Sequence, residues 1–277
     1  MEVKKEQVKE ATKEVAKEEK KEHEKEDKED KKEVTLAGGH ISNFKFNSDG
    51  TLLKKTVDAE VKFLQEINDK ACKYYAEREA INKFLPKFVG VEVIDGAKWV
   101  KMENVNFGLT HPSYIDVKMG TQTYAPDYPE EKKKRHQEAD KKTTTPTHGL
   151  KISGMVIKDK DGNTTHKLYK SEVKAVELPQ TFRYLLTSGG ATKPNEEALN
   201  YYIKVCQEIL EFFEHVGKRY FVASSLFFVI SNTDNKFALK LIDFAHVKPI
   251  EDMGLTRDEG IIFGLKNMIK ILIKSAK

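Results

Sequence analysis

The chain has 277 residues, of which 39% are hydrophobic and 33% charged, and its formal net charge is +4. This length allows one large hydrophobic core or two small ones, and two cysteines are too few for a disulfide framework. The longest apolar run, residues 220–230, is too short to span a bilayer.

Residues 1–33 contain 11 basic and 13 acidic side chains, so the rest of the chain carries a net charge of +6. Glutamate and lysine recur every four residues there, with few apolar side chains between them. Such a segment cannot bury a core, so we expect a disordered tail or a solvated helix. This segment is also unlike a signal peptide, because it is charged where a signal peptide has an apolar stretch. We therefore expect a soluble protein of the cytoplasm or the nucleus, with no membrane span.

A small antiparallel sheet with one helix is predicted between residues 34 and 104. Apolar side chains alternate on both sides of the turn signal Asn47-Ser48-Asp49-Gly50, which predicts a β-hairpin. Lys54 closes the second strand of this hairpin, and Glu60 lies near the start of an amphipathic helix. A second hairpin is predicted over residues 88–102.

Residues 105–277 predict a larger region in which helices and strands are mixed. The predicted elements are a strand at 112–120, a charged helix at 128–142, a hairpin at 151–169, a long amphipathic helix that Asn195 opens, two buried strands within 225–242 and a helix at 258–274. The sequence thus predicts three segments, a tail (1–33), a small region (34–104) and a large region (105–277).

The nine residues from Pro112 to Gly120 hold an acid, Asp116, and a base, Lys118, two positions apart on a predicted strand. Side chains with this spacing point to the same face of a strand, roughly 7 Å apart along it. The pair fits an ion pair on an edge strand as well as it fits a site for a metal-bound or phosphate-bound reactant. The spacing alone does not decide between them.

Other residues favour phosphoryl transfer, which needs a lysine for nucleotide phosphates, a carboxylate for Mg²⁺ and a group that orients the acceptor. Lys54, Glu60, Asp116, Lys118 and Asp243 occur in an order that suits these roles, with Asp243 directly after a buried strand. The chain contains no G-x-G-x-x-G loop, H-R-D loop or D-F-G segment, so it is not an ordinary protein kinase.

Three motifs make the chain similar to the inositol polyphosphate kinase family. Pro112 to Gly120 fits its P-x-x-x-D-x-K-x-G signature, Ile242 to His246 fits its I-D-F-A-H segment, and Ser224 to Phe227 differs by one residue from its S-S-L-L segment. The resemblance implies an α+β, two-lobed, protein-kinase-like fold. Its N-lobe would be a small antiparallel sheet (34–104), its C-lobe a larger α+β region (105–277), and ATP would bind in the cleft between them.

The resemblance also implies how nucleotide and metal are bound. Lys54 would contact the ATP phosphates and Glu60 would hold Lys54. The backbone at Glu103 and Val105 would read adenine. Asp116 would touch the ribose or the reacting hydroxyl. Asp243 would bind Mg²⁺.

For the acceptor, the resemblance implies a wall of cations. Lys118 would lie between the substrate phosphate and the transferred γ-phosphoryl group, and His246 would meet a substrate phosphate. A polyphosphate on a small ring needs several cations at once, which gives the charged helix a role. Its candidates are Lys132, Lys133, Arg135 and His136, each of which also fits a solvated helix face.

The implied activity is an ATP- and Mg²⁺-dependent kinase of inositol hexakisphosphate (InsP6) that also accepts inositol phosphates from InsP3 to InsP5. Residues 149–155 and 83–88 look most like the hexakisphosphate kinases, whereas the compact size resembles the multikinases that act on InsP3 and InsP4 hydroxyls. A non-catalytic inositol phosphate sensor is a further alternative. No nucleic-acid partner is expected, because no aromatic residue interrupts residues 132–136. We expect a monomer.

Overall fold

A computed structural model describes residues 41–169 and 173–277, all within one compact unit. The first part is an antiparallel sheet of four strands in the order β1-β2-β4-β3. Its strands are β1 (Phe44–Phe46), β2 (Thr51–Lys55), β3 (Phe88–Ile94) and β4 (Ala97–Glu103). Both predicted hairpins are confirmed, the second with Asp95 and Gly96 at positive φ in its turn.

Helix α1 (Asp58–Asn68) is also confirmed, with Val61, Leu64 and Ile67 buried on one face. The sequence analysis missed the next helix, α2 (Tyr75–Ile81). Two turns of mostly alanine and charged residues are too short to show a helical period of apolar side chains.

The second sheet is antiparallel, with five strands in the order β10-β9-β5-β6-β7. Its strands are β5 (Ser113–Met119), β6 (Leu150–Lys158), β7 (Thr164–Tyr169), β9 (Ser225–Ser231) and β10 (Lys236–Ile242). The Asp116–Lys118 strand, β5, is central, so the alternative of an edge strand is wrong. Its pairing with β6 shifts register after Asp116, an irregularity that often re-aims side chains beside active sites.

Among the described residues, five helices accompany this sheet, and the long helices close the main core on one side of it. They are α3 (Glu130–Asp140), α4 (Thr145–His148), α5 (Leu178–Leu186), α6 (Glu196–His215) and α7 (Glu259–Ser275). The charged helix and the two long helices were predicted. Asn195 caps α6 by accepting a hydrogen bond from the Ala198 N–H, 2.9 Å. Helix α5 and the short paired strands β8 (Arg219–Phe221) and β11 (Val247–Pro249) were not predicted.

The predicted tail (1–33) and the first residues of the predicted N-lobe lie outside the described residues. The boundary between residues 104 and 105 stays a prediction. Within the described ranges, no helix has the length and apolar character needed to cross a membrane.

Candidate active site

Three predicted residues from distant parts of the chain meet where the two sheets approach each other. Lys54 Nζ lies 2.8 Å from Glu60 Oε1 and 2.7 Å from Asp243 Oδ1. Lys54 comes from β2, Glu60 from the first turn of α1, and Asp243 from the residue directly after β10. One ammonium therefore joins the first sheet, its helix and the second sheet.

Glu60 is almost fully buried, and its carboxylate accepts hydrogen bonds from three donors. Besides Lys54, it accepts hydrogen bonds from the Thr56 hydroxyl and from the Phe244 N–H, the latter at 3.0 Å. These contacts hold the Glu60 carboxylate in place, and the carboxylate in turn holds the Lys54 ammonium. Burial disfavours the charged forms of Lys54 and Asp243, but their mutual attraction raises the pKa of Lys54 and lowers that of Asp243, so both stay ionised.

The backbone at Asp243 adopts the left-handed conformation, with φ 67°, as does Ala223 with φ 56°. Residues with a Cβ seldom take this conformation, and they do so more often at functional sites. The Ser224 hydroxyl donates to the Asp243 carbonyl at 2.7 Å, and the Met119 N–H donates to the Ser224 carbonyl at 2.8 Å. The S-S-L-L segment thus ties the β5 motif to Asp243.

Asp116 and Lys118 share one face of β5, whereas Ile115, Val117 and Met119 point into the core. Lys118 directs its ammonium to the Ala223 carbonyl, 2.8 Å away, rather than to Asp116. The ion-pair alternative for the motif is therefore wrong. A lysine held by a carbonyl keeps its full positive charge for an anionic ligand.

Asp116 is partly buried, and its Oδ1 atom, which is buried, accepts no hydrogen bond within the described ranges. Burial, together with repulsion from Asp243, raises its pKa to about 6, although Lys118 acts in the opposite direction. A carboxyl group with this pKa changes protonation state near neutral pH, so it is able to take up a proton or to bind a cation.

Glu103 and Val105, the predicted adenine-reading residues, lie at the end of β4 and just beyond it. The Glu103 side chain accepts a hydrogen bond from the Lys87 N–H at 3.0 Å, and the Asn104 N–H donates to the Gly50 carbonyl at 3.0 Å. Among the described residues, the Val105 N–H has no acceptor. A free backbone donor at this point suits the edge of a planar base.

Part of the predicted cationic wall gathers around Tyr128, a residue that the sequence analysis did not select. The hydroxyl group of Tyr128 lies 2.7 Å from His246 Nε2, and Lys132 Nζ lies 3.4 Å from the centre of its ring. The His136 ring packs edge-on against the same tyrosine, with centroids 5.5 Å apart. No spacing rule predicts the contact between Tyr128 and His246, because 118 residues separate them.

The other two predicted helix residues face elsewhere. Lys133 Nζ forms an ion pair with Glu130 Oε1 at 2.8 Å, one turn back on the same helix. Arg135 is exposed. Of the four candidates on α3, Lys132 and His136 therefore join the cluster, and Lys133 and Arg135 do not.

No group of three or more acidic, histidine or cysteine side chains suitable for a metal ion occurs in the described part of the chain. Magnesium is often held by one or two carboxylates plus nucleotide phosphates and water. Asp243 fits this kind of site, and so does the nearby Asp116, whose Oδ1 accepts no hydrogen bond among the described residues.

The chain is similar to known proteins in sequence and in structure. The family model described as "Inositol polyphosphate kinase" matches residues 99–273. The inositol polyphosphate multikinase of Schizosaccharomyces pombe is 26% identical over 262 residues, which is 84% of this chain and 93% of that protein. Human inositol hexakisphosphate kinase 3 is 26% identical over 209 residues, 63% of this chain and 50% of that protein.

Among solved structures, the inositol phosphate multikinase of S. cerevisiae, in complex with ADP and Mn²⁺, has the same fold. It superposes with a TM-score of 0.65 at 18% identity, covering 82% of this chain and 99% of that one. The predicted kinase-like α+β fold is thereby confirmed.

Proposed function

The chain belongs to the inositol polyphosphate kinase family, a family of phosphotransferases, and we propose that it transfers the γ-phosphoryl group of ATP to InsP6. The observation that carries the proposal is the convergence of Lys54, Asp243, Asp116 and Lys118 beside a cluster of cations. An acceptor phosphate oxygen would attack the γ-phosphorus, and the bond to the β-phosphate oxygen would break. The products would be ADP and a diphosphoinositol pentakisphosphate.

The proposed site for the nucleotide consists of the residues that lie where the two sheets meet. Lys54, kept charged by Glu60, would contact the ATP phosphates, and the backbone of Glu103 and Val105 would hold adenine. Asp243 would bind Mg²⁺, which would neutralise phosphate charge as the γ-phosphoryl group leaves. This chain's own contribution is to hold these groups in place before the reactants arrive.

The proposed site for the inositol phosphate consists of side chains that keep a positive charge or a hydrogen-bond donor available for it. Lys118, whose ammonium donates to the Ala223 carbonyl, would face the γ-phosphoryl group in transfer, and Lys132 and His246 would contact the phosphates of the ring. His136 would assist them from the same helix as Lys132. Lys133 and Arg135, which lie outside the cluster around Tyr128, stay proposed contacts for the outer phosphates of InsP6.

A second candidate is a multikinase that phosphorylates InsP3 and InsP4 hydroxyl groups. Asp116 favours it, because a carboxyl group with a pKa of about 6 suits a general base for a hydroxyl, whereas a phosphate acceptor is already anionic and needs none. The S. pombe multikinase also matches over nearly its whole length. We propose InsP6 as the main acceptor and these hydroxyl groups as additional ones.

The test compares InsP6 with an inositol trisphosphate at saturating Mg·ATP, for the wild type and three variants. Asp116→Asn is expected to lower trisphosphate turnover about 100-fold or more and InsP6 turnover less, while Lys118→Ala lowers both. Lys160→Ala, at an exposed lysine paired with Asp161, is the control. If Asp116→Asn and Lys118→Ala both stay within a few-fold of wild type, the assignment of the motif is wrong. Turnover of the trisphosphate alone would identify the multikinase candidate.

A further inference from the structure

Tyr128 touches two of the proposed substrate-binding groups with two different parts of its side chain. Its hydroxyl group lies 2.7 Å from His246 Nε2, and the two rings meet edge-on with centroids 5.3 Å apart. Its ring face carries the Lys132 ammonium, 3.4 Å from the centroid. Tyr128 therefore connects the end of the I-D-F-A-H segment to the charged helix α3.

These contacts hold basic groups without neutralising them. A carboxylate would hold a lysine too, as Glu130 holds Lys133 at 2.8 Å, but it would repel an acceptor that carries many negative charges. An aromatic face attracts an ammonium and leaves its net charge unchanged. A phenol hydroxyl likewise orients an imidazole while adding no charge.

The neighbouring residue fastens the same loop. Asp127 Oδ2 lies 2.5 Å from Lys248 Nζ on β11, two residues after His246. Since adjacent residues of the loop bind to residues 246 and 248, the position of Tyr128 against His246 is fixed from two sides. The hydrogen bond at Nε2 also leaves His246 Nδ1 without a partner in the part of the chain that the structure describes.

We propose that Tyr128 is a positioning residue, which rests on the proposed function. Its hydroxyl group donates to His246 Nε2, so that the ring proton resides on Nδ1 as a donor for an acceptor phosphate, and its ring holds Lys132 beside that phosphate. Tyr128 thus raises affinity for the inositol phosphate by orienting two other groups, without a charge of its own.

Steady-state kinetics with a double-mutant cycle tests this. Tyr128→Phe keeps the ring and loses the hydroxyl, and we expect it to raise the KM for InsP6 about 2- to 10-fold while the KM for ATP stays unchanged. In the His246→Ala background the same substitution should have no further effect. The matched control is Tyr124→Phe on the same loop, where the hydroxyl accepts a long, 3.3 Å hydrogen bond from the Gln137 side chain. An equal effect in both backgrounds, or an equal rise in the KM for ATP, would overturn the proposal.

A second measurement separates this proposal from the proposed function. Nitrogen NMR of the free protein, with the His246 signals identified by comparison with His246→Ala, reports which ring nitrogen carries the proton. We expect the proton on Nδ1 in the wild type and a mixture of tautomers in Tyr128→Phe. A proton on Nε2, or no change on substitution, contradicts the positioning role even if the kinase activity is present. Absence of turnover with the expected tautomer would instead refute the proposed function.

Discussion

Asp116→Asn is expected to stabilise the fold while it impairs catalysis. The partly buried carboxyl group has a pKa raised from 3.8 to about 6, by desolvation first and by repulsion from Asp243 second. As the pH rises above about 4, the unfolded chain releases this proton and the folded protein retains it until about pH 6. The unfolded state therefore gains stability relative to the folded state across this window, and the penalty stays constant above it.

The size of the effect follows from the two pKa values. One pKa unit corresponds to 1.36 kcal/mol, so ionised Asp116 costs the folded state roughly 3 kcal/mol at pH 7.5. Asparagine is nearly isosteric and carries no charge. We expect Asp116→Asn to raise the free energy of unfolding by up to roughly 3 kcal/mol at pH 7.5 and to change it little at pH 4.

Asp258 offers a matched control, because burial also raises its pKa to about 6. Unlike Asp116, it caps α7 and is well paired. It accepts hydrogen bonds from the Phe221 N–H at 2.8 Å and from the Ile261 N–H at 3.1 Å. An amide in its place would set an NH₂ group against one of these donors. Asp258→Asn is therefore expected to destabilise the fold, by about 1–3 kcal/mol.

Urea unfolding at pH 4 and at pH 7.5, in EDTA and without nucleotide, measures all three proteins. The reasoning is refuted if Asp116→Asn is less stable than the wild type at pH 7.5, or if its advantage is the same at both pH values. An increase in stability for Asp258→Asn would show that burial alone, and not hydrogen bonding, decides the sign.

Three further predictions follow from buried groups. Lys54→Met leaves the Glu60 and Asp243 carboxylates without their cation. ATP binding should therefore be lost, and the free energy of unfolding should fall by about 3–5 kcal/mol. An unchanged ATP affinity, measured by calorimetry, would contradict the role of Lys54. Arg219→Ala leaves the buried Glu77 carboxylate, 3.0 Å from Arg219 Nε, without its cation, so the free energy of unfolding in urea should fall by a similar amount. A fall of less than about 1 kcal/mol would contradict this prediction. Burial raises the pKa of the Cys206 thiol, so a thiol reagent should label only one equivalent in the folded protein, and rapid labelling of two would contradict the core packing.

Local sequence patterns were sufficient to predict most strands and the longer helices. The turn at residues 47–50 and the alternating side chains around it are short-range features, and the hairpin forms as they predict. Lys54 and Glu60 are six residues apart, so their pairing also follows from local structure. The contact of Lys54 with Asp243 spans 189 residues, and the sequence analysis gave these two residues separate roles without predicting that they touch.

The features that were missed depend on long-range contacts. Helix α2 is held by Glu77, whose partner Arg219 lies 142 residues away, so its buried carboxylate carries no local signal. Tyr128 looks like an ordinary loop residue until folding brings His246 to it. The central position of β5 also depends on long-range contacts, because β5 ends at Met119 while its neighbours begin at Leu150 and Ser225.

The central claim is that an inositol polyphosphate accepts the γ-phosphoryl group at the Asp116–Lys118 strand. Incubation of the protein with γ-labelled ATP, Mg²⁺ and InsP6, followed by separation of the products by charge, tests it most directly. The account predicts label in a product more highly phosphorylated than InsP6, and its loss with Lys118→Ala. Label released only as inorganic phosphate, or an unchanged product yield in Lys118→Ala, would contradict it.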